Sequence, residues 1–202
     1  MKNSVLDGLL VHGRDNHAME MILRLQSITR WHMIEMIRPQ SVAEHSANVA
    51  LLAMYIADTS PVFYFDPGTT VAAAALTHDM GEALIGDVAA HVKKALGGIK
   101  QIEDEVIHPV FRIPVNTDTQ VLIKLCDIAD CVRYAHRHSV DHFGKNAMQA
   151  LWCQLLELLN TKVRLFDPLT GWPPHLVDHV KSCLFDYCFE FSGEVDVNDF
   201  KS

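Results

Sequence analysis

The sequence predicts an all-α fold, a helical bundle built around one core. About half of the 202 residues are apolar, which is enough to form a substantial core. No segment longer than a few residues shows the alternation of apolar and polar residues that marks a strand. Helix start signals instead precede apolar segments. Ser41 stands three residues before Glu44, the spacing of a capping box, and Thr117 or Asp118 can cap a long later helix.

Apolar periodicity and turn residues place the elements in order. The predicted helices cover about residues 4–12 or 15–28, then 41–59, 69–79, 99–110, 117–139, 142–165 and 175–190. The helix over 69–79 is rich in small residues, which let helices approach closely, so we place it at the centre of the bundle. Gly81, Gly86 and Gly97 interrupt the chain, and we expect an irregular stretch there.

Charge and composition exclude several classes of protein. The net charge of −8 argues against broad binding to a nucleic acid polymer. No apolar stretch reaches the ~18 residues of a membrane-spanning helix, and the N-terminus shows no signal-peptide pattern. Five cysteines without a CxxC pair suggest thiols in a reducing compartment. We therefore expect a cytoplasmic protein.

Two histidines and an aspartate are candidates to bind a divalent cation. His45 shares the buried face of the second predicted helix, where a lone histidine is more often hydrogen-bonded to backbone than bound to metal. His78 and Asp79 close the helix over 69–79, and an ionised, unpaired aspartate in that apolar context is costly. A cation would remove the cost. The alternative is a helix C-terminus at which His78 interacts favourably with the helix dipole.

A fourth candidate ligand, Asp127, lies in a later apolar segment. An acid buried there needs a partner. Asp130, one helical turn further on, competes for this role or is a surface acid. The nitrogen and oxygen ligands, without thiolate, suit Mn²⁺, Co²⁺, Fe²⁺, Zn²⁺ or Mg²⁺. We predict one divalent metal ion bound by His45, His78, Asp79 and Asp127.

Two further acids follow the His-Asp pair. Glu82 lies one helical turn after Asp79, and Asp87 follows Gly86. Beside a metal ion, Glu82 and Asp87 could orient or deprotonate an attacking water, or protonate a leaving oxygen. Each could also be a helix N-cap or a solvated loop carboxylate. Together with the metal ligands, these acids favour chemistry on a phosphate ester.

The order of these residues resembles a known family. His45, the pair His78-Asp79 and Asp127 match the H…HD…D signature of the HD-domain phosphohydrolases. The chain is similar, more narrowly, to the YfbR-type 5′-deoxynucleotidases and their phage relatives. The similar segments are Arg30-Trp31, Ser41-Val42-Ala43-Glu44-His45-Ser46, His78-Asp79-x-x-Glu82-x-x-x-Gly86-Asp87 and Lys124-x-x-Asp127. They span about residues 20–135.

This resemblance implies a single HD domain over residues 1–202, with a metal-binding core at about 20–140 and C-terminal helices at about 142–191. It implies catalysis and sugar contact by Glu82 and Asp87. It also implies a 2′-deoxynucleotide substrate. Arg30 would bind phosphate, which its two-pronged guanidinium suits. Trp31 would pack beside C2′ of the sugar and exclude a ribose hydroxyl; the alternative for the Arg30-Trp31 pair is a loop anchor.

The chain departs from the family after Asp87. The family has a proline-rich segment there, before a lysine, whereas residues 88–93 contain no proline and Lys93 keeps the position of the lysine. Some phage relatives resemble dATP triphosphohydrolases, and Lys93 with Arg30 could bind a longer phosphate chain. The alternative for Lys93 is a solvated helix surface.

The main functional prediction is hydrolysis of deoxynucleoside 5′-monophosphates to deoxynucleoside and phosphate. The alternatives are a deoxynucleoside triphosphate triphosphohydrolase that releases triphosphate, for example from dATP, and a non-catalytic nucleotide-sensing module. A cyclic-nucleotide phosphodiesterase is a weaker option. The expected partner is a small deoxynucleotide, with no nucleic acid polymer and no membrane. Aromatic residues of the last helix, among them Phe185, Tyr187 and Phe189, indicate core or interface packing and hence a homo-oligomer.

Overall fold

The protein is described, in a computed structural model, over residues 17–60, 65–164 and 171–189. Within these residues the fold is all-α apart from one two-residue ladder, as the sequence predicts. The elements are α1 (His17–Leu25), β1 (Thr29–Arg30), β2 (Gln40–Ser41), α2 (Val42–Thr59), α3 (Gly68–Leu76), α4 (Glu82–Ile85), α5 (Ala90–Leu96), α6 (Ile99–Val106), a 3₁₀ helix (Pro109–Phe111), α7 (Thr117–His138), α8 (His142–Arg164) and α9 (Pro174–Phe189). The possible helix over residues 4–12 lies outside the described residues.

The main core lies between α2, α3, α7, α8 and α9. Val71, Ala74 and Ala75 of α3 are buried, so small side chains do let this helix pack closely against α2. Phe185 and Phe189 pack against the buried Trp152 and therefore belong to the core. No helix among the described residues is both long and apolar enough to span a membrane.

Both long site-bearing helices begin at side-chain caps. Ser41 Oγ accepts a hydrogen bond from the backbone N–H of Glu44 at 3.1 Å, as the capping box predicts. The cap of α7 is Asn116 rather than Thr117 or Asp118: its Oδ1 accepts from the N–H of Thr119 at 2.8 Å. Each cap fixes where its helix starts, and hence the direction in which the later side chains point.

The end of α3 differs from the prediction. The helix stops at Leu76, and the following backbone hydrogen bonds, such as His78 N–H to Ala75 O, span three residues rather than four. This tighter winding is usual at helix ends. His78 and Asp79 therefore lie in a turn after α3, not in its last helical turn. The stretch after Gly81, expected to be irregular, forms the short helices α4 and α5.

Gly81 lets two elements approach more closely than any other residue would allow. A Cβ added there would lie 2.7 Å from Glu103 Cβ and 2.9 Å from the Glu103 carbonyl oxygen. Because a backbone atom cannot move aside cheaply, we expect Gly81→Ala to lower the free energy of unfolding by about 1–3 kcal/mol. Urea denaturation of the variant and the wild type measures this difference. An unchanged midpoint and slope would contradict the close approach of α6.

The two-residue ladder was not predicted. Thr29 pairs with Ser41 and Arg30 pairs with Gln40, in antiparallel register. Two-residue strands show no periodicity that a sequence pattern could reveal. The ladder ties the segment carrying Arg30 to the residues just before α2.

Candidate active site

Three elements bring the four predicted metal ligands together. His45 comes from the first turn of α2, His78 and Asp79 from the turn after α3, and Asp127 from the middle of α7. His45 Nε2 lies 3.1 Å from Asp127 Oδ1 and 3.7 Å from Asp79 Oδ2. His78 Nε2 lies 3.2 Å from Asp79 Oδ2. The ligand atoms thus form two groups that share His45: His45 with His78 and Asp79, and His45 with Asp127 and Cys131, each within 4.8 Å.

Hydrogen bonds on the far side of each imidazole fix which nitrogen faces the site. His45 Nδ1 lies 2.7 Å from Asp130 Oδ2, and His78 Nδ1 lies 2.7 Å from the Ala75 carbonyl oxygen. Because a carboxylate and a carbonyl only accept hydrogen bonds, each Nδ1 carries the proton. Both Nε2 atoms then face the site, as in histidine ligands held by outer partners.

The residues present fit a divalent cation. Cis ligands at about 2.1 Å from an ion lie about 3 Å from one another, close to the separations observed here. His45 Nδ1 contacts Asp130, so Nε2, 3.1 Å from Asp127 Oδ1, is the nitrogen left to bind an ion. His78 Nε2 is buried and makes no hydrogen bond, although Asp79 lies close by. A cation between these atoms would satisfy all of them.

The charges of the site favour a cation as well. Burial disfavours an imidazolium, but the charge of Asp79 outweighs it and raises the pKa of His78 to about 9. Burial likewise raises the pKa of Asp79, but His78 more than offsets it and holds this pKa below its ordinary value. The site therefore stabilises positive charge on His78 and keeps Asp79 anionic. A proton and a metal ion would compete for His78 Nε2.

Arg30 lies close to Asp79 as well. Its Nη1 is buried without a hydrogen-bond partner, 4.0 Å from Asp79 Oδ2, and its Nη2 lies 3.2 Å from Cys131 Sγ. Burial lowers the pKa of the guanidinium, but the surrounding groups of opposite charge raise it above its ordinary value. Arg30 therefore presents a fixed positive charge with an unused donor beside the candidate metal ligands.

Glu82 lies at the edge of the site, on the first residue of α4. It is buried, and its Oε1 accepts a hydrogen bond from Lys93 Nζ at 2.7 Å, while its Oε2 is buried without a partner. Burial and the charge of Asp79 raise the pKa of Glu82 to about 7, and Lys93 partly offsets both. Such a carboxyl group can exchange a proton near neutral pH.

Lys93 has a different environment from the one expected. Its Nζ lies 2.7 Å from Glu82 and 2.7 Å from Glu103, a buried acid on α6. Lys93 therefore neutralises two buried carboxylates in this structure, and it is not on a solvated helix surface. Its predicted contact with phosphate stays a prediction.

A cavity of about 560 Å³ opens beside Arg30. Arg30, Trp31, Asp87 and Cys131 line it, and its remaining wall is mostly apolar. The volume is in the range of small-molecule sites. Asp87 reaches this wall because Gly86 before it has φ of +83°, a conformation that glycine adopts readily.

The backbone of Trp31 is unusual. Among the described residues it is the one non-glycine residue with positive φ, 65°. Its ring lies nearly parallel to that of Tyr134, with centroids 6.2 Å apart, and its indole N–H donates to Gln40 Oε1 at 3.0 Å. Strained backbone of this kind often marks functional positions. The contacts with Tyr134 and Gln40 thus fix the orientation of Trp31, which lines the cavity.

Sequence reasoning missed two neighbours of the site. Asp130, weighed as a competing ligand or a surface acid, is buried and contacts His45 from behind. Lys124, from the Lys124-x-x-Asp127 motif, places its Nζ 2.6 Å from Asp127 Oδ2. It adds a second positively charged side chain to the site, after Arg30. The apolar residues around Asp130 were the one available signal of its burial.

Comparisons with known proteins show what the chain is similar to. The family model of the YfbR-like 5′-deoxynucleotidases matches residues 17–110. The chain is 31% identical to a dATP triphosphohydrolase of Cyanophage S-2L over 63% of this chain and 78% of that protein. It is 25% identical to a dATP triphosphohydrolase of Salmonella phage PMBT28 over 72% of this chain and 79% of that protein.

A solved structure shares the fold. The Cyanophage S-2L HD phosphohydrolase DatZ, bound to dA and one catalytic Zn²⁺ ion, superposes with a TM-score of 0.68 over 90% of this chain and 99% of that chain, at 22% identity. This likeness confirms the predicted all-α HD fold. Together with the phage relative that is 31% identical, this likeness shows the family of the chain. The chain belongs to the HD phosphohydrolase family.

Proposed function

We propose that the protein is a metal-dependent phosphohydrolase of 2′-deoxynucleotides that cleaves the bond between O5′ and the α phosphorus. One observation carries this proposal: three buried polar atoms without hydrogen-bond partners belong to side chains that lie near Asp79 or feel its charge. They are Arg30 Nη1, His78 Nε2 and Glu82 Oε2. Arg30 Nη1 would donate to a phosphate, His78 Nε2 would bind a cation, and Glu82 Oε2 would accept a hydrogen bond from a water.

Each side chain then has a defined task. Bound by His45, His78, Asp79 and Asp127, a divalent ion supplies polarisation of a phosphoryl oxygen and a lowered pKa of water. Arg30 holds the α phosphate through Nη1. Glu82 Oε2 accepts a proton from the attacking water, or returns one to O5′ as the O5′–phosphorus bond breaks. Asp87, at the cavity wall, contacts the sugar.

A triphosphate is the substrate that we favour. Both curated relatives are phage dATP triphosphohydrolases, and Lys124 adds a second cation on the exposed side of Asp127. Water and dATP would give deoxyadenosine and triphosphate. The second candidate is a deoxynucleoside monophosphate, supported by the YfbR-like family model. Both reactions break the same bond, so the same residues serve either.

Product analysis tests the proposal. The protein is incubated with deoxynucleoside mono- and triphosphates and with their ribose counterparts, each with Zn²⁺, Co²⁺, Mn²⁺ or Mg²⁺. Release of tripolyphosphate identifies the triphosphohydrolase, and release of orthophosphate from a monophosphate identifies the nucleotidase. Release of pyrophosphate would contradict the proposed bond. Tight nucleotide binding without turnover under any metal would indicate the nucleotide-sensing module.

We expect Trp31→Ala to relax discrimination against ribonucleotides. Removing the ring opens space in the cavity wall where an added 2′-hydroxyl would otherwise clash. Since apolar pockets reject an added hydroxyl by about 100-fold, the deoxy/ribo ratio of kcat/KM should fall towards 1 by a factor of that order. Trp31→Phe keeps a ring and serves as the matched control. An unchanged ratio in Trp31→Ala would exclude a steric gate at this position.

Three further expectations accompany the proposed function. We infer a single domain over residues 1–202, a cytoplasmic location and self-association into a homo-oligomer. Sedimentation of the purified protein, with and without a deoxynucleotide, would measure the last of these.

A further inference from the structure

Asp130 lies at the centre of a buried hydrogen-bond network directly behind the candidate metal site. It is 1% exposed on α7. Its Oδ2 accepts from His45 Nδ1 at 2.7 Å and from Gln40 Nε2 at 2.8 Å. Its Oδ1 accepts from Asn48 Nδ2 at 3.0 Å and from the Tyr187 hydroxyl at 2.7 Å. Four donors from three elements thus converge on one carboxylate.

This arrangement requires an ionised carboxylate. A protonated acid would direct an O–H at one of these four donors, and charge-assisted hydrogen bonds are stronger than neutral ones. Hydrogen bonds from His45 and Tyr187 outweigh burial and hold the pKa of Asp130 below its ordinary value. The network therefore keeps Asp130 charged although it is buried.

The same carboxylate oxygen serves two parts of the site. On one side it accepts the Nδ1 proton of His45, which leaves Nε2 as the nitrogen facing Asp79 and Asp127. On the other side it accepts from the amide nitrogen of Gln40, which is fully buried. The amide oxygen of Gln40 then faces the indole N–H of Trp31, 3.0 Å away. Asp130 is linked by two hydrogen bonds to Trp31 and by one to a candidate metal ligand.

We propose that Asp130 is a positioning residue that orients His45 for metal binding and, through Gln40, orients Trp31 at the cavity wall. This inference rests on the proposed metal centre and on the proposed deoxynucleotide substrate. Outer partners of metal-bound histidines typically contribute about 10–100-fold in metal affinity. Asp130 touches neither metal nor substrate, so its effects pass through the two side chains that it orients.

The test compares metal affinity and sugar selectivity in matched variants. Zn²⁺ and Co²⁺ are titrated alone into metal-free protein by calorimetry, with a chelator as competitor. Asp130→Asn removes one acceptor and the charge, so we expect metal affinity to weaken by about 10–100-fold and the deoxy/ribo ratio to fall. Gln40→Met should lower the ratio while leaving metal affinity within about threefold of wild type, since Asp130 keeps its direct hydrogen bond with His45 Nδ1.

Tyr187→Phe is the control for a merely structural role. It removes a donor from the other oxygen of Asp130 and leaves the contacts with His45 and Gln40 intact. We expect metal affinity and selectivity close to wild type. If Tyr187→Phe weakens metal binding as much as Asp130→Asn does, Asp130 only holds helices together and the inference is wrong.

Two more measurements separate the possible failures. If His78→Ala and Asp79→Asn also leave metal affinity unchanged, the metal centre itself is wrong, and with it the proposed function. If those two weaken binding and Asp130→Asn does not, only the orienting role is wrong. Should Asp130→Asn fail to fold, ¹⁵N NMR of Zn²⁺-loaded wild type decides: a protonated His45 Nδ1 supports the inference, and an unprotonated Nδ1 overturns it.

Discussion

Replacing Asp79 with alanine is expected to abolish metal binding and to lower turnover by at least about 100-fold. Loss of a residue that only supports a metal ligand typically costs up to about 100-fold, and loss of a ligand should cost more. Asp79 Oδ2 lies between both histidines, 3.2 Å from His78 Nε2 and 3.7 Å from His45 Nε2. The variant loses a charged ligand and leaves Arg30 without its nearest carboxylate. Metal content by atomic emission, with kcat at saturating substrate, measures both effects.

The control for this variant is Asp104→Ala on α6. Asp104 is largely exposed and pairs with Lys100 one turn away, a kind of surface pair that contributes little. It should retain metal and turnover. Circular dichroism of both variants checks that the fold is kept. Full turnover by a metal-free Asp79→Ala protein would refute the proposed mechanism.

Glu82→Gln is expected to lower kcat by about 10²–10⁴-fold, the usual contribution of a general acid or base. Glutamine keeps the size of the side chain, and its amide oxygen can still accept from Lys93 Nζ. It cannot carry a proton at Oε2. Because Glu82 is not a proposed ligand, metal content and KM should change little. Steady-state kinetics with the best substrate of the product panel measures this split.

Glu105→Gln is the matched control, since Glu105 is an exposed glutamate on α6. It should behave like wild type. A kcat for Glu82→Gln within about threefold of wild type would assign the proton transfer to another group. A loss of metal in Glu82→Gln would instead place Glu82 among the ligands.

The proximity of the candidate metal ligands could be predicted because polar residues at these positions conflict with their local sequence. His45 lies on an apolar helix face, and Asp127 lies in an apolar segment. Such polar residues need a partner, and a shared cation provides one for all of them. The start of α2 could also be predicted, because the hydrogen bond between Ser41 and Glu44 forms between residues that are close in the sequence.

The remainder of the site depends on contacts between residues far apart in the chain. Asp130 meets Gln40 and Tyr187 across 90 and 57 residues, and its apolar neighbours in the sequence do not reveal these partners. Lys93 pairs with Glu103 only because α5 and α6 fold back on one another. The predicted end of α3 was wrong because an apolar pattern does not indicate where hydrogen bonds that span four residues give way to ones that span three.

The backbone at Trp31 has a consequence for how this position can vary. A left-handed conformation costs a bulky residue roughly 1–3 kcal/mol, and glycine would adopt it without that cost. Glycine would also remove the indole that stacks on Tyr134 and bonds to Gln40. Relief of backbone strain and the proposed role of Trp31 beside the sugar therefore place opposite demands on this position.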